Sequence, residues 1–319
     1  MESTPLLSLK EVSKRFTRSR VLSAGKVEVL ALSRLSLDVY RGEVLGIVGE
    51  SGSGKTTLGR IAVGLIPSSS GRVIFDGRDL SSISKREKRG LRRRMGMVFQ
   101  NPLTALNPRM RVGEAVAEPL RVQLKLSPDN LRLRLKELFK EVGLPFSFIR
   151  AYPFALSTGQ RQRLGIARAI ATTPELVVLD EPVSALDLTV QAQILTLLSR
   201  LSKKLGLTYL FISHDLRVVA GMSDRVAVIY QGKLVELGGA KEVMMEAKHP
   251  YTRLLLASIP GSKNREEEGI GFPANEGIVI ASGCPFSPRC PRADDICIRE
   301  EPLLRTVSSS HAVSCHLIE

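Results

Sequence analysis

Tryptophan is absent from the 319 residues, and the aromatic share is only 5%. Proteins that grip single-stranded RNA or DNA stack bases on aromatic rings, and this chain has few to offer. Long apolar runs are missing as well. The apolar residues come in short stretches such as Leu176-Val177-Val178-Leu179, far below the roughly 18 consecutive residues that span a bilayer. The opening residues Met1-Glu2-Ser3-Thr4-Pro5 are neither basic nor followed by an apolar core, so secretion is not expected and the cytoplasm is the default. Cysteine is scarce, and the four present all lie beyond Ile278. A chain of this length buries an adequate core without disulfide staples. No internal repeat or long low-complexity tract breaks it up.

Positive charge is in excess, with a formal balance of +14. That suits an acidic partner, whether nucleic acid, anionic lipid or the polyphosphate of a nucleotide, and does not choose among them. The densest patch is Lys85-Arg86-Glu87-Lys88-Arg89-Gly90-Leu91-Arg92-Arg93-Arg94. It reads either as a phosphate grip or as a solvated helix face, the commoner use of such a run.

Short β-like runs alternate with helical stretches, the pattern of an α/β sheet protein. Leu7 to Val12 and Leu35 to Val39 alternate apolar and polar residues and predict an antiparallel β layer. Glu43 to Val48 predicts a buried strand, followed by a glycine-rich loop and a helix over Lys55 to Leu65. Helical periodicity then runs through Val112 to Gln123, Leu131 to Val142 and Gly159 to Ala171, predicting a helical subdomain at about 112–172. Strands are expected at Leu176 to Leu179, Thr208 to Ile212 and Arg225 to Ile229, with helices at Thr189 to Leu205 and Leu216 to Met222. Gly, Pro, Lys and Glu mark 260–277 as a linker. The expected division is a main α/β domain over 1–259, this linker, and a small cysteine-rich C-terminal extension over 278–319.

Gly49-Glu50-Ser51-Gly52-Ser53-Gly54-Lys55-Thr56 fits G-x-x-x-x-G-K-[ST] between a strand and a helix. Glycines let successive N–H groups turn toward phosphate, and the helix adds the positive end of its dipole. Lys55 then reaches the β and γ phosphates, and the Thr56 hydroxyl serves Mg²⁺. The run Leu176-Val177-Val178-Leu179 ends in Asp180-Glu181. Asp180 is placed to hold Mg²⁺ through its water shell, and Glu181 to polarise an attacking water. An apolar strand ending in Asp-Glu is by itself more often a surface turn; downstream of a P-loop the reading reverses.

Beyond these motifs the sequence resembles the ATP-binding-cassette (ABC) family over about residues 7 to 259. Gln100 follows the run Met95 to Phe99, Leu156-Ser157-Thr158-Gly159-Gln160 stands where the family has Leu-Ser-Gly-Gly-Gln, Ser184-Ala185-Leu186-Asp187 matches the D-loop, and His214 lies in Ile212-Ser213-His214-Asp215. The resemblance implies ATP and Mg²⁺ as ligands, with nucleotide contacts from Gly49 through Lys55, Thr56 and Thr57. By the same resemblance, two cassettes are expected to close head to tail, so that Ser157, Gly159 and Gln160 of one cap the ATP of the other. It further implies that Gln100 senses Mg²⁺ and the attacking water, that His214 contacts the γ-phosphate, and that Phe16 stacks on adenine. A lone Phe after a strand is more often packing. Thr158 departs from the family's Gly, and a positive φ there would make a β-branched residue costly.

Gln100-Asn101-Pro102-Leu103-Thr104-Ala105-Leu106-Asn107-Pro108, Tyr152-Pro153 and His249-Pro250-Tyr251-Thr252 resemble the ATPase subunits of oligopeptide, dipeptide and nickel importers. That implies two integral membrane permease subunits, a second homologous ATPase, an extracytoplasmic solute-binding protein, and a place on the cytoplasmic face of the membrane. Peptide import is the leading reading, with nickel or another small solute as the alternative. A nucleic-acid-associated cassette ATPase is the rival class. Such proteins generally carry long insertions or tandem cassettes, and here the interval from Thr56 to Ser157 leaves no room for an insertion, so no nucleic acid is expected.

Cys284, Cys290, Cys297 and Cys315 form C-x5-C-x6-C-x17-C. In a reducing compartment gathered thiols suggest metal ligation over disulfides. The spacing lacks the short knuckle usual for zinc and suits a larger object such as an iron–sulfur cluster. The resemblance of Gly283-Cys284-Pro285-Phe286 and Arg289-Cys290-Pro291 to importer tails adds a [4Fe-4S] cluster to the expectations; zinc or free thiols remain the alternatives. His311 and His316 flank Cys315 as spare ligands or, more commonly for a tail, as exposed side chains.

Overall fold

The computed structural model describes residues 4–19, 26–101, 106–259, 282–308 and 310–318. The expected linker at 260–277 and the stretch 102–105 lie outside the described residues.

Two sheets form the frame. The smaller is antiparallel and is built from β1 (Leu7–Ser19), β2 (Lys26–Val39), β4 (Ser70–Phe75) and β5 (Arg78–Asp79), in the order β2-β1-β4-β5. The larger has eight strands: β3 (Val44–Val48), β6 (Met95–Val98), β7 (Leu176–Asp180), β8 (Thr208–Ile212), β9 (Arg225–Tyr230), β10 (Lys233–Gly239), β11 (Arg305–Thr306) and β12 (Ala312–Val313). Their order is β11-β12-β10-β9-β3-β8-β7-β6. From β6 through β7, β8 and β3 to β9 the pairing is parallel, while β10, β12 and β11 continue it antiparallel.

The short apolar runs are explained by burial on both sides. Leu45, Ile47, Leu176, Val178, Leu210 and Ile212 face the small sheet and the helix α1 (Lys55–Ala62). Their alternates Val44, Val48, Val177, Leu179, Tyr209 and Phe211 face a second core. A strand buried on both faces reads as a continuous apolar run because neither side meets water.

The second core is covered by α3 (Val112–Pro119), α4 (Pro128–Glu141), α5 (Thr158–Ile170) and α6 (Leu188–Leu205), which bury Val116, Leu138, Leu164 and Leu198 in it. α3 ends earlier than its periodicity predicts. Pro119 closes it, and a π-type turn over Leu120–Leu124 follows, since proline ends helices by lacking a donor and crowding the turn before it. The basic run becomes α2 (Lys85–Arg92), started by a capping box of Ser84 and Glu87. The shorter helices are α7 (Leu216–Met222), α8 (Ala240–Met245), α9 (Pro250–Ala257) and α10 (Asp295–Arg299).

The C-terminal region is sewn into the large sheet. β12 pairs with β10, and Ser314 N donates to Val235 O at 2.8 Å. Beneath this seam Glu236 and His311 are buried at 0% and 1% exposure, their side chains 2.7 Å apart. The expectation of exposed tail histidines is therefore corrected at His311. His316 Nε2 meets the Glu300 carbonyl at 2.9 Å.

Candidate functional site

β3 delivers the chain into the loop from Gly49 to Gly54, and α1 starts at Lys55. The loop leaves no room for side chains at two points: a Cβ on Gly49 would lie 2.1 Å from Ile229 O, and one on Gly54, at φ +101°, 2.3 Å from Ala31 O. Only glycine fits such approaches. Gly232 N donates to Ser53 O at 2.9 Å and Ser33 N to Gly232 O at 3.0 Å, so β2 and the β9–β10 turn back the loop.

Lys55 is buried, and its ammonium donates to the carbonyls of Gly49 and Glu50, both at 2.7 Å. Burial lowers its pKa, with Glu181, Asp180 and Glu50 opposing the shift. The Thr56 hydroxyl donates to Asp180 Oδ1 at 2.9 Å. Asp180 ends β7 at 1% exposure; burial raises its pKa, and the Thr56 hydrogen bond opposes the rise. Thr57 follows on α1 and is half-buried. Ser51 and Gly52 form the exposed crown of the loop, while Ser53 is buried. A hydroxyl and a carboxylate held together beside a phosphate loop are hard oxygen donors of the kind Mg²⁺ takes, with phosphate and water completing its shell.

Glu181 is the meeting point of the predicted catalytic side chains. Gln100 Nε2 donates to its Oε2 at 2.9 Å, and His214 Nδ1 lies 3.3 Å from its Oε1. Gln100 follows β6, Glu181 follows β7 and His214 follows β8, adjacent parallel strands that end on one edge. Glu181 also has φ 47°, a left-handed conformation that costs about 1 kcal/mol or more outside glycine and that accumulates at functional sites. Its N–H is satisfied by Ile212 O at 2.9 Å.

The remaining predicted residues lie apart. Phe16, a residue 39% exposed, stands on β1 opposite Val29, and the Lys14 ammonium is 5.1 Å from its ring centroid. Ser157 caps α5: Gln160 N donates to Ser157 Oγ at 3.3 Å, and Ser157 N to Gln160 Oε1 at 2.9 Å. Gly159 follows inside α5, against Val190. No hydrogen bond or ion pair among the described residues joins this helix start to the P-loop. Asp187 caps α6 by accepting from Val190 N at 3.0 Å.

Two residues quoted above only for their family resemblance have a role at this site that the sequence does not signal. Arg289 makes a bidentate ion pair with Glu50, at 2.9 and 3.0 Å, and Tyr251 Oη accepts from Glu50 N at 2.8 Å. Arg289 is 239 positions from Glu50, and no local pattern signals that distance.

The iron–sulfur expectation finds no support. Among the described residues no group of three or more His, Cys, Asp or Glu side chains is arranged to hold a metal ion. Cys284 and Cys297 are instead packed into the helical-side core beside Phe286. Burial pushes the Cys284 thiol up to about 11 and raises those of Cys290 and Cys315. The notion of a separate metal-bearing extension gives way to a segment that completes the large sheet.

A strand–loop–helix phosphate cradle facing the Asp180-Glu181 pair at the end of β7, a parallel strand of the same sheet, defines a P-loop nucleotide hydrolase. Residues 32–184 match the ABC transporter family, and residues 235–297 match the oligopeptide/dipeptide transporter C-terminal region. A Brucella ovis protein named for peptide import with ATP binding is 44% identical over 99% of this chain and 98% of its own length. A Brucella abortus protein of the same description is 47% identical over 92% of this chain and 88% of its own. Among solved structures, a dimeric ATP-binding cassette in a post-hydrolysis state with ADP and Pi superposes with a TM-score of 0.66 at 30% identity, covering 73% of this chain and 98% of that one. A component of an ABC transporter complex from Clostridium perfringens superposes at 0.64 and 30% identity, covering 76% and 91%. The chain belongs to the ABC transporter family and is an ATP-hydrolysing transporter subunit. No helix among the described residues is long and apolar enough to cross a membrane.

Proposed function

We propose that this chain powers the import of oligopeptides or dipeptides by binding and hydrolysing Mg-ATP at the P-loop. The observation that carries the reading is the convergence of Gln100 and His214 on the Glu181 carboxylate, beside the Thr56–Asp180 pair. Lys55 and the loop N–H groups bind the β and γ phosphates, and Phe16 offers its exposed ring to adenine. Thr56 and Asp180 hold Mg²⁺, which supplies charge neutralisation on the phosphate oxygens. Glu181 orients the attacking water, Gln100 reports its position, and His214 contacts the γ-phosphate. Most of the acceleration of phosphoryl transfer comes from such placement of fixed charges and donors.

Ser157, Gly159 and Gln160 serve the ATP of a second, similar ATPase rather than the ATP on this chain's own P-loop. Two membrane permeases and an extracytoplasmic binding protein complete the assembly, on the cytoplasmic face of the membrane. The peptide cargo rests on the match of residues 235–297 and on the names of the relatives. We divide the chain into an ATPase domain over 1–259, with its helical part at about 112–172, and a C-terminal region that docks back on it. Co-expression with permeases and binding protein in proteoliposomes should give ATP hydrolysis that rises with added di- or oligopeptide. A response to nickel but not to peptide would transfer the assignment to metal import, and stimulation by nucleic acid alone would overturn it.

A further inference from the structure

Among the described residues, the C-terminal region reaches the P-loop through Arg289. Arg289 ends a 3₁₀ turn, Ser287–Arg289, and its guanidinium takes both carboxylate oxygens of Glu50, the second residue of the P-loop. The arginine is set from behind: Phe286 packs edge-on against Tyr230 at 5.3 Å and tilted against Tyr251 at 5.5 Å. The Arg289 guanidinium lies over both the Tyr230 and Phe286 rings, at 5.9 and 5.8 Å. Its side chain is 17% exposed, against 41% for Glu50. Glu50 is thus held at three points: its carboxylate by Arg289, its N–H by Tyr251 Oη, and its carbonyl by Lys55.

We propose that Arg289 is a positioning residue for ATP: the C-terminal region docks on the P-loop through Glu50, fixing the loop and neutralising a carboxylate beside the polyphosphate. The inference rests on the reading of this loop as the Mg-ATP site. A bare carboxylate at that position repels the nucleotide's negative charge, and a bidentate arginine is the residue best shaped to cancel it. The consequence is a specific asymmetry. Losing the arginine exposes the charge, whereas losing both partners removes it.

The test uses the full-length chain, with ATP affinity measured by equilibrium competition against a fluorescent ATP analogue and with KM and kcat measured in the assembled complex. Arg289→Gln should weaken ATP binding about fivefold to tenfold, as KM rather than kcat, while Glu50→Gln combined with Arg289→Gln recovers most of the loss. Arg289→Lys, which keeps charge but not the fork, should fall between and serves as the reading if Arg289→Gln does not fold. Wild-type affinity in the arginine variants, or a double variant no better than Arg289→Gln, overturns the proposal. Lys55→Ala separates the two layers. Loss of binding there with Arg289 variants unchanged sinks only the positioning role, whereas wild-type binding by Lys55→Ala sinks the ATP site itself.

Discussion

Gln100 donates to the Glu181 carboxylate across 2.9 Å, joining the ends of two adjacent parallel strands. His214 approaches the other oxygen of the same carboxylate, so one acid is shared by the residues that flank it on β6 and β8. An acid that orients water in a P-loop site acts by charge and direction together. Glu181→Gln keeps the size and the Gln100 contact but loses the charge. ATP binding should persist while turnover falls about a hundredfold or more. Near-normal hydrolysis by an assembled complex in which both ATPase sites carry the change would show that Glu181 is not the orienting acid.

The Thr56–Asp180 pair predicts a different phenotype. Asp180 is fully enclosed, and replacing it by Asn preserves shape and the acceptor for the Thr56 hydroxyl while removing the charge that attracts Mg²⁺. Asp180→Asn should retain the fold, shift the Mg²⁺ dependence of hydrolysis to higher concentration and lower the rate. An unchanged Mg²⁺ titration would remove Asp180 from the metal site.

The parts of this molecule legible in the sequence are those whose burial is uniform. Thr208–Ile212 and Leu216–Met222 match their expected bounds, because a strand buried on both faces and a helix capped by Asp215 leave unambiguous local signals. β1 and β2 run far past the expected Val12 and start well before Leu35. Their distal halves expose Arg15, Phe16 and Thr17, and only pairing with each other sustains them. β10 leaves no such signal because Glu236 sits at its centre and two glycines close it. A buried acid makes sense only once the Lys248 and His249 N–H groups and His311, 75 positions away, are brought to it. The catalytic motifs are readable as residue types in order, but their meeting on one carboxylate belongs to sheet topology. For the cysteines, spacing suggests a cage that side-chain packing does not build.

Thr158 tests the departure from the family signature. It occupies the first turn of α5 with a helical rather than left-handed backbone, and Arg161 Nη2 donates to its hydroxyl at 3.1 Å. The strain that would make Thr costly is absent. Thr158→Gly should therefore leave the ATPase rate of the assembled complex unchanged. It should lower the unfolding midpoint by about 1–2 °C through lost helix propensity. A clear rise in hydrolysis would mean that the threonine side chain obstructs the partner's site.

Two buried histidines give the fold opposite responses to pH. His249 is 1% exposed, and burial lowers its pKa from 6.5 to about 4. Its Nδ1 accepts from Tyr251 N at 3.0 Å, capping α9, a bond that protonation at that nitrogen destroys. Between about 4 and 6.5 the unfolded chain holds the extra proton, so His249 makes stability fall as pH falls through that window, by up to about 3 kcal/mol. His311 runs the other way: its bond to Glu236 raises its pKa, so the folded chain holds the proton longer. That contribution is complete below 6.5 and is lost as pH rises through the folded value. His249→Asn, which keeps a capping oxygen, should flatten the acid limb of a plot of denaturant-unfolding free energy against pH. His311→Gln, which keeps a donor to Glu236, should flatten the limb above neutrality. Parallel curves for wild type and His249→Asn across the acid window would mean that this histidine is already charged in the fold, contrary to its burial.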